Sequence, residues 1–417
     1  MKNVRINFIL ILAFVPSMFL FAQNSTGDIE TYVGSILSKA PGSSGNDFEE
    51  PNASQLNTWN TLIDFLLLNN LANARSTASE LNYQVTEFTD ISITPNQIFY
   101  VLEEVTPATK YWGTYVFSKT PLRSNLILQA PHSKFDTNTG SQALYCFKNT
   151  GARAVFLNGT HRCNSDSFSS CSGSTSVCGS NESYRLSDMA HTVNSMFQKT
   201  TESFLNAVSG AVFVQLHGFN KQTSDPYVIL SNGTRETPTT DYATLLKDAL
   251  LTEDNTLTFE LAHININWTR LIGFTNTQGR LINNVLNACS TSAPTTTGQF
   301  IHVEQEKSKL RDDVNDWMKM SNALSNVFST TLSTDEYTLD RTISIIPNPT
   351  STGAFYIKGK YIDFIDIYNS VGQRIGRQMN SANSEYIFVN TKTDIRGIYF
   401  LKIHTNSGRI TKKIVLQ

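Results

Sequence analysis

The central part of the chain alternates between apolar runs and segments with helical periodicity. Apolar runs predict strands over 82–92, 97–102, 111–117, 125–130, 152–157, 210–216, 256–261 and 299–303. Apolar residues at helical spacing predict helices over 59–81, 186–208, 242–251, 278–288 and 307–327. Apolar strands that alternate with helices are typical of a sheet covered on both faces. We therefore predict an α/β domain with a largely parallel mixed sheet flanked by helices.

The C-terminal part of the chain has a different pattern. Short strand-like segments, some with strict alternation of apolar and polar residues, occupy 354–357, 364–368, 397–403 and 410–416, with turn residues between them. This pattern predicts a small all-β sandwich over 342–417. The segment 328–341 is rich in Ser and Thr and predicts a linker, so the α/β domain is expected over 23–327.

The N-terminus predicts an exported protein. Lys2 and Arg5 precede an apolar run that ends at Phe21, and the small residue Ala22 follows it. This is the pattern of a signal peptide over 1–22. A membrane anchor is the alternative, but the run is shorter than the roughly 20 residues of a spanning helix and is interrupted by Pro16. No later stretch predicts a stable membrane span.

Composition narrows the class of function. The 417 residues carry a net charge of -2, and only 16% of them are charged, against about 25% in an ordinary soluble domain. The balanced charge disfavours binding to nucleic acid. Outside the cell, the five cysteines are expected to form at most two disulfides and leave one thiol. A bridge between Cys163 and Cys178 would fix a Ser/Gly-rich loop; a zinc ribbon at this loop is the less favoured alternative.

Four motifs in the C-terminal segment occur in a characteristic order. They are Ile346-Pro347-Asn348-Pro349-Thr350, Tyr368-Asn369-Ser370-Val371-Gly372, the segment 397–403, and the closing Lys412-Lys413-Ile414-Val415-Leu416-Gln417. Together they resemble the type A C-terminal sorting domain of the type IX secretion system. The resemblance implies passage through the periplasm, interaction with the type IX secretion machinery, and a final location in the medium or on the outer cell surface. A generic carbohydrate-binding or fibronectin-like module is the alternative.

Polar residues follow the predicted strands of the central domain. His132, His161 with Arg162, His217 and Glu304 all come at the end of an apolar run. Because ligands bind at the carboxyl ends of strands in open α/β sheets, we expect these side chains to converge. His132, Asp136 and His217 then provide two imidazoles and one carboxylate, which is the ligand set of a catalytic zinc site with an open position. Each histidine alone could equally be a hydrogen-bonded loop residue.

Such a site also needs a general base and groups that hold the substrate. Glu304 is the first candidate for the base, ahead of Glu306 and Glu260, although Glu304 could instead cap the following helix. Three further side chains are predicted to bind the substrate: Arg162, whose planar fork could hold a carboxylate, His161 and Arg280. Arg162 could instead form an ordinary salt bridge, and the segment around Arg280 could simply cap a helix.

The central motifs resemble a known group of enzymes. The run 126–133, which ends in Pro131-His132-Ser133, together with Leu216-His217-Gly218 and the segment 301–306, is similar to the N-formylglutamate amidohydrolases and the zinc carboxypeptidases. The resemblance implies a phosphorylase/hydrolase-like fold, a zinc cofactor and hydrolysis of an amide in a small-molecule or peptide substrate. Carboxypeptidases use His-x-x-Glu, whereas Asp136 lies one residue further from its histidine. A non-catalytic surface-binding protein on the same scaffold, and an esterase with Ser133 as nucleophile, are the alternatives.

Overall fold

The computed structural model describes residues 24–328, 343–380, 384–391, 396–405 and 408–417. The predicted signal peptide lies outside these residues, and so does the predicted linker apart from Phe328.

A mixed sheet of ten strands forms the centre of the body. In chain order its strands are β1 (Asn24–Gly27), β2 (Tyr83–Asp90), β3 (Gln97–Glu104), β4 (Thr114–Ser118), β5 (Arg123–Ala130), β6 (Ala152–Leu157), β7 (Val212–Phe219), β8 (Val228–Ser231), β9 (Phe259–Leu261) and β10 (Phe300–Glu306). Their spatial order is β1-β2-β3-β4-β6-β5-β7-β10-β8-β9. The central strands β6, β5, β7 and β10 are parallel, and the neighbouring pairs β4–β6 and β10–β8 are antiparallel. This confirms the predicted α/β class.

Helices cover both faces of this sheet. They are α1 (Ile29–Ser38), α2 (Ala53–Leu67), α3 (Leu71–Glu80), α4 (Thr139–Thr150), α5 (Met196–Ala207), α6 (Tyr242–Glu253), α7 (Thr277–Ile282), α8 (Lys307–Leu310) and α9 (Val314–Val327). Residues of α1, α4, α6 and α9 share one apolar cluster with one face of the sheet. Residues of α2, α3 and α5 share a second cluster with the opposite face. The central strands are therefore buried on both sides, which explains their continuous apolar runs.

Four predicted helices are shorter or divided in the structure, and the one predicted over 278–288 ends at Ile282. The helix predicted over 59–81 is two helices, because Asn69 adopts a left-handed backbone conformation (φ 54°) between α2 and α3. The helix predicted over 307–327 is also two, and the Asp313 side chain caps the second. The helix predicted over 186–208 begins only at Met196, where Ser195 is the N-cap. The prediction was wrong for 186–195, which contain a single 3₁₀ turn (Met189–His191).

Two central strands run further than predicted. The apolar run of β7 ends at Leu216, but the strand continues to Phe219; β10 likewise continues to Glu306. His217 and Glu304 therefore lie within the last residues of their strands, not just beyond them. The two residues are direct partners in the parallel β7–β10 register.

Two disulfides cross-link loops of the body. Cys163 is bonded to Cys178, as predicted, and Cys171 is bonded to Cys289. Among the described residues Cys146 is the free thiol; it is buried on α4 with its Sγ towards the carbonyl oxygen of Trp317. Burial raises the pKa of this thiol.

The C-terminal region is a small all-β unit with its own apolar core, as predicted. Its strands are β11 (Ser344–Ile346), β12 (Ala354–Lys358), β13 (Ile362–Tyr368), β14 (Arg374–Met379), β15 (Tyr386–Asn390), β16 (Gly397–Thr405) and β17 (Gly408–Leu416). They form two antiparallel sheets with the orders β11-β12-β15 and β14-β13-β16-β17. Within the part of the chain that the structure describes, none of the helices has the length and apolar character needed to cross a membrane.

Candidate metal centre

Adjacent strands bring four polar side chains to one face of the sheet. On β7 these are Gln215 and His217, and on β10 they are His302 and Glu304. Alternate residues of a strand point to the same face, so each pair shares a side. The register aligns His302 with Gln215 and Glu304 with His217. All four side chains are buried.

The turn after β5 adds two further groups to the site, the His132 ring and the Asp136 carboxylate. The backbone N–H of Asp136 donates to the carbonyl oxygen of His132 at 2.9 Å, so the chain completes one helical turn between them. This turn brings the Asp136 carboxylate back to the His132 ring. The backbone N–H of Gly218 also donates to Asp136 Oδ2 at 3.1 Å and fixes the carboxylate beside β7.

Three donor atoms meet at this point. His132 Nδ1 lies 3.1 Å from His217 Nδ1, and Asp136 Oδ2 lies 3.3 Å from the former and 3.4 Å from the latter. Two ring nitrogens at this distance are attractive only if one of them carries a proton or if both face a cation. The structure thus brings together the three residues that the sequence predicts as metal ligands, and we call this triangle the donor cluster.

The far side of each imidazole has a defined partner. His217 Nε2 lies 2.7 Å from Gln215 Oε1, an oxygen that also accepts from the Asn276 side chain. His132 Nε2 lies 2.9 Å from Asp188 Oδ1. Both partners are acceptors, so each ring donates its Nε2 proton outwards and can present Nδ1 as a lone pair to the donor cluster. Outer hydrogen bonds of this kind orient metal-binding histidines in proteins.

Asp188 also binds the guanidinium of Arg162. Its Oδ2 accepts from Arg162 Nε at 2.9 Å and from Nη2, while Oδ1 accepts from His132 and from His191 Nδ1 at 3.0 Å. The third nitrogen of the guanidinium, Nη1, lies 3.4 Å from His132 Nδ1. One buried carboxylate therefore holds a ring of the donor cluster and a cation beside it.

Charge and burial set the protonation of the carboxyl groups. Burial alone would raise the pKa of Asp136, but His132 and His217 outweigh it and lower that pKa far below its usual range. Burial and then the nearby Asp136 raise the pKa of Glu304 to about 8. The pKa values of the two carboxyl groups in this site are thus shifted in opposite directions. Asp136 is ionised, and Glu304 is able to carry a proton near neutral pH.

The imidazoles also differ in their protonation. Burial is the main cause that lowers the pKa of His217 to about 4 and places that of His302 well below its ordinary value. For His132, burial and the charge of Arg162 disfavour the protonated ring. Asp188 and Asp136 together outweigh them and raise the pKa of His132. When no metal ion is bound, the two neighbouring carboxylates therefore favour the protonated form of His132.

Glu304 and His302 form a second buried pair next to the donor cluster. His302 Nε2 lies 3.8 Å from Glu304 Oε1, and the ring centroids of His302 and His217 are 4.4 Å apart. Glu304 Oε2 and His302 Nδ1 are buried without a hydrogen-bond partner within the described residues. Unpartnered buried polar atoms are uncommon in folded proteins and favour a role toward a ligand or water.

Two predicted bases lie elsewhere. Glu306 caps α8 by accepting from the backbone N–H of Ser308 at 2.8 Å. Glu260 lies on β9 at the edge of the sheet and accepts from Asn265 Nδ2. Neither contacts the donor cluster, so the structure favours Glu304 among the three predicted carboxylates.

The predicted substrate-binding residues have different surroundings. Arg162 lies beside the donor cluster, although its guanidinium is paired with Asp188. Arg280 is buried and donates to backbone carbonyls and to Ser172 Oγ, so it acts as a structural link. His161 lies with Phe135 on the wall of a separate cleft of about 520 Å³ that the Cys163–Cys178 disulfide also lines.

Three residues of the site were not assigned by sequence. Asp188 and His191 fall in the segment predicted as helix, and His302 lies within the predicted strand 299–303. The spacing Asp188-x-x-His191 before the Ser195 cap was the available signal, but neither residue follows a strand. His191 is held by Asp188 and by a stacking contact with Tyr184, with ring centroids 3.6 Å apart.

Comparison with known proteins gives a family match for the C-terminal region. Residues 344–417 match the model of the secretion system C-terminal sorting domain. The chain therefore carries a sorting domain of the type IX system, which directs it to the cell surface or the medium. The comparison with curated proteins gives no match.

Solved structures that resemble the chain differ from it strongly in sequence. N-formylglutamate amidohydrolase from Ralstonia eutropha JMP134 is 9% identical, with 50% of this chain and 93% of that chain covered and a TM-score of 0.29. A candidate metallopeptidase from Shewanella amazonensis SB2B is 12% identical, with 64% and 92% covered and a TM-score of 0.29. A second one from Shewanella baltica OS155 is 13% identical, with 68% and 98% covered and a TM-score of 0.29. Similarity at this level assigns no activity to the chain.

Proposed function

We propose that this chain is an exported zinc-dependent hydrolase of amide or peptide-like bonds. In this proposal His132, Asp136 and His217 hold the metal, and Glu304 is the general base. The observation that carries the proposal is the donor cluster: three ligand atoms, two from the turn after β5 and one from β7, lie 3.1–3.4 Å apart beside the buried Glu304 carboxyl group, whose Oε2 has no hydrogen-bond partner among the described residues.

The geometry of the donor cluster fits zinc. Ligand atoms bonded at about 2.0–2.1 Å in a tetrahedron are separated by about 3.3–3.4 Å, close to the three observed distances. Two imidazoles and one carboxylate leave the fourth position of the tetrahedron for water or substrate. The outward hydrogen bonds of His132 and His217 support the ligand form of both rings.

Zinc bound here would polarise a substrate carbonyl and lower the pKa of a water molecule to about 7. The residues of the chain supply the proton transfers. When Glu304 is ionised, its Oε2, which has no hydrogen-bond partner within the described part of the chain, can accept a proton from the attacking water. Because the carboxyl group is buried, it can hold this proton without losing it to solvent. Glu304 can then transfer the proton to the leaving nitrogen.

Arg162 supports the same reaction electrostatically. Its Nη1 lies 3.4 Å from His132 Nδ1, while Nε and Nη2 are held by Asp188. A guanidinium fixed in this way can donate to the negative oxygen that forms when water adds to a carbonyl. Because the group is 8% exposed, little solvent screens its charge.

The proposal is tested with protein purified without chelators. We expect about one zinc ion per chain, hydrolysis of peptides or N-acyl amino acids in a substrate panel, and loss of both after chelation. His217→Ala should lose zinc. Glu304→Gln should keep zinc but lose about 10²–10⁴-fold in rate, the usual contribution of a general base.

Glu260→Gln is the matched control, because it removes an equivalent carboxylate at the edge of the sheet. We expect its zinc content and rate to equal those of the wild type. If zinc is substoichiometric in the wild type, and an unchanged ligand-binding activity survives His217→Ala, the chain is a non-catalytic binding protein and the proposal is wrong.

A further inference from the structure

A polar cleft lies beside the candidate metal centre. Its volume of about 520 Å³ is in the range of small-molecule sites. In the turn after β5, His132 and Asp136 belong to the donor cluster, whereas Phe135 lines the cleft. In the loop after β6, Arg162 lies beside the donor cluster, whereas His161 lines the cleft. The guanidinium carbon of Arg162 is 5.4 Å from the centroid of the Phe135 ring, so a ligand in the cleft would be close to the centre.

Several polar groups of the cleft wall form no hydrogen bond within the described residues. His161 Nδ1 accepts from the backbone N–H of Cys163 at 3.1 Å, so the neutral ring carries its proton on Nε2, and this N–H is one of those groups. Burial, and then the charge of Arg162, lower the pKa of His161 and favour the neutral ring. The carboxylate of Asp166 and the hydroxyl of Ser43 are two more. The wall therefore offers a donor, an acceptor and a hydroxyl that can serve as either.

The charges around the cleft favour an uncharged ligand. Arg185 also lines the cleft, but its Nη2 donates to Glu182 Oε1 at 2.5 Å, so a carboxylate of the protein already compensates this cation. Asp166 is exposed to water, and an ion pair at such a position is worth roughly 1 kcal/mol or less. A small anion would use only the N–H groups of the wall, and a small cation only the carboxylate. A neutral ligand with both donors and acceptors would use all of them.

The cleft also has apolar surface, and its wall consists of loops and turns. Phe135 is half-buried, and it borders the cleft together with Val177 and the Cys163–Cys178 disulfide. The C–H face of a sugar ring packs well against an aromatic side chain, while the hydroxyls of the sugar both donate and accept. All of the lining residues lie outside the named strands, so an extended peptide would find no strand edge in this wall for main-chain pairing.

We infer that this cleft is a binding site for a neutral sugar, and that the sugar is part of the substrate, as in a glycosylated peptide or amide. The site for the sugar stands on the cleft alone, whereas its part in the substrate rests on the proposed function. In this inference Asp166 accepts from the sugar hydroxyls, His161 donates to one of them, and Phe135 packs against the ring. Because Phe135 is close to Arg162, an amide linked to the sugar can reach the donor cluster.

Calorimetry with the zinc-loaded full chain tests the site for the sugar. The probes are N,N′-diacetylchitobiose and cellobiose, and N-acetyl-trialanine amide represents the peptide alternative. We expect both sugars to bind. Asp166→Ala should weaken their binding about tenfold, which corresponds to one hydrogen bond to a charged group, and His161→Ala should weaken it about fivefold.

Asp248→Ala is the matched control, because it removes an exposed carboxylate on α6 that does not line the cleft. We expect its affinity for both sugars to equal that of the wild type. The inference is overturned if neither sugar binds, if Asp166→Ala binds the sugars as tightly as the wild type does, or if only the peptide binds.

Kinetics test whether the sugar belongs to the substrate. A serine-containing peptide that the enzyme cleaves is compared with the same peptide carrying a β-linked N-acetylglucosamine on the serine, placed one, two or three residues from the cleaved bond. We expect kcat/KM to be about tenfold higher for at least one glycosylated peptide, and Asp166→Ala should remove this difference. Equal rates at all three positions would overturn the part of the sugar in the substrate. If the sugars bind in the cleft but the chain cleaves no amide, the hydrolase proposal fails and the site for the sugar stands.

Discussion

A single carboxylate, Asp188, holds two parts of the candidate metal centre in place. One oxygen orients the His132 ring, and the other oxygen carries the Arg162 guanidinium. Burial would raise the pKa of Asp188, but Arg162, His191 and His132 lower it well below its usual range. The group therefore stays ionised and acts as a fixed acceptor.

Replacing Asp188 tests its effect on metal binding. Asp188→Asn removes the charge-assisted acceptor behind His132, so we expect zinc affinity to fall about 10–100-fold, the usual effect of losing such a partner. Competition with a chromophoric chelator measures the change. The matched control is Asp241→Asn, because Asp241 forms a similar pair with His263, 2.8 Å away, in a different part of the body. Equal affinities in the two variants would contradict the role of Asp188.

Glu304 predicts how the stability of the metal-free protein depends on pH. Its pKa is about 8 in the folded state, above the ordinary carboxyl value of 4.5, so the folded state retains a proton that the unfolded state releases. Stability should therefore fall as pH rises from about 4.5 to 8, by at most about 1.4 kcal/mol per pH unit. Urea denaturation of metal-free wild type and Glu304→Gln across this range measures the effect. The variant should lack this part of the pH dependence. Identical stability profiles for the two proteins would contradict the raised pKa of Glu304.

Residues that follow strands could be found from the sequence, and residues in loops could not. His132, His217 and Glu304 come at the ends of apolar runs, and Asp136 follows His132 by one helical turn. Asp188 and His191 lie in a segment where Leu186, Met189 and Met196 have approximately helical spacing. The apolar pattern therefore predicts a helix where the structure has a buried loop. Arg162 was found, but its pairing with Asp188 depends on tertiary structure. The roles of all these residues stay predictions.

At the scale of elements, the register between β7 and β10 aligns the proposed base with a proposed metal ligand. Glu304 lies opposite His217, and His302 lies opposite Gln215. A slip by one residue would turn Glu304 to the other face of the sheet, because side chains alternate. The Gly218 backbone, which binds Asp136 and lies against Arg311, helps to define this arrangement.

Gly218→Ala tests how tightly these elements are packed. A Cβ at this position would overlap the Arg311 guanidinium, which is held by three carbonyl oxygens and has little room to move. We expect a loss of about 1–3 kcal/mol in the free energy of unfolding. Gly34→Ala is the contrasting control: Gly34 lies within α1 with open space around it, so alanine should stabilise the helix by about 0.5–1 kcal/mol. Denaturant unfolding compares both, and a neutral Gly218→Ala would show that Arg311 can adjust.

Element type was easier to predict than element ends. The apolar runs located eight of the ten strands of the described sheet, but no pattern predicted β1, α1, α4 and β8. In α4, buried polar residues such as Thr139 and Gln142 interrupt the apolar periodicity. The division of α2 from α3 depends on the left-handed backbone of Asn69, which no hydrophobic pattern records.

At the scale of the whole molecule, two disulfides stabilise an exported body. Cys171–Cys289 closes a loop with a sequence separation of 118, whereas Cys163–Cys178 closes one of 15. In the chain-entropy model the longer loop gives the greater stabilisation. The comparison is therefore between the paired variants Cys171→Ser/Cys289→Ser and Cys163→Ser/Cys178→Ser.

We expect the first pair of substitutions to lower the free energy of unfolding by about 1–2 kcal/mol more than the second. Urea denaturation under oxidising conditions measures the difference. Zinc content serves as a control for the fold, because the cysteines themselves are not ligands in the proposed centre. An equal or reversed order of stability would contradict the loop-length explanation.

The position of Cys146 matters for the route that this protein takes. Five cysteine thiols enter a compartment where disulfides form, and an odd number leaves one sulfur atom unpaired. Here that atom is enclosed beneath α9, with a pKa too high for it to react as a thiolate at neutral pH. Once folded, the protein can therefore cross the periplasm without forming covalent dimers or exchanging its two correct bridges for wrong ones.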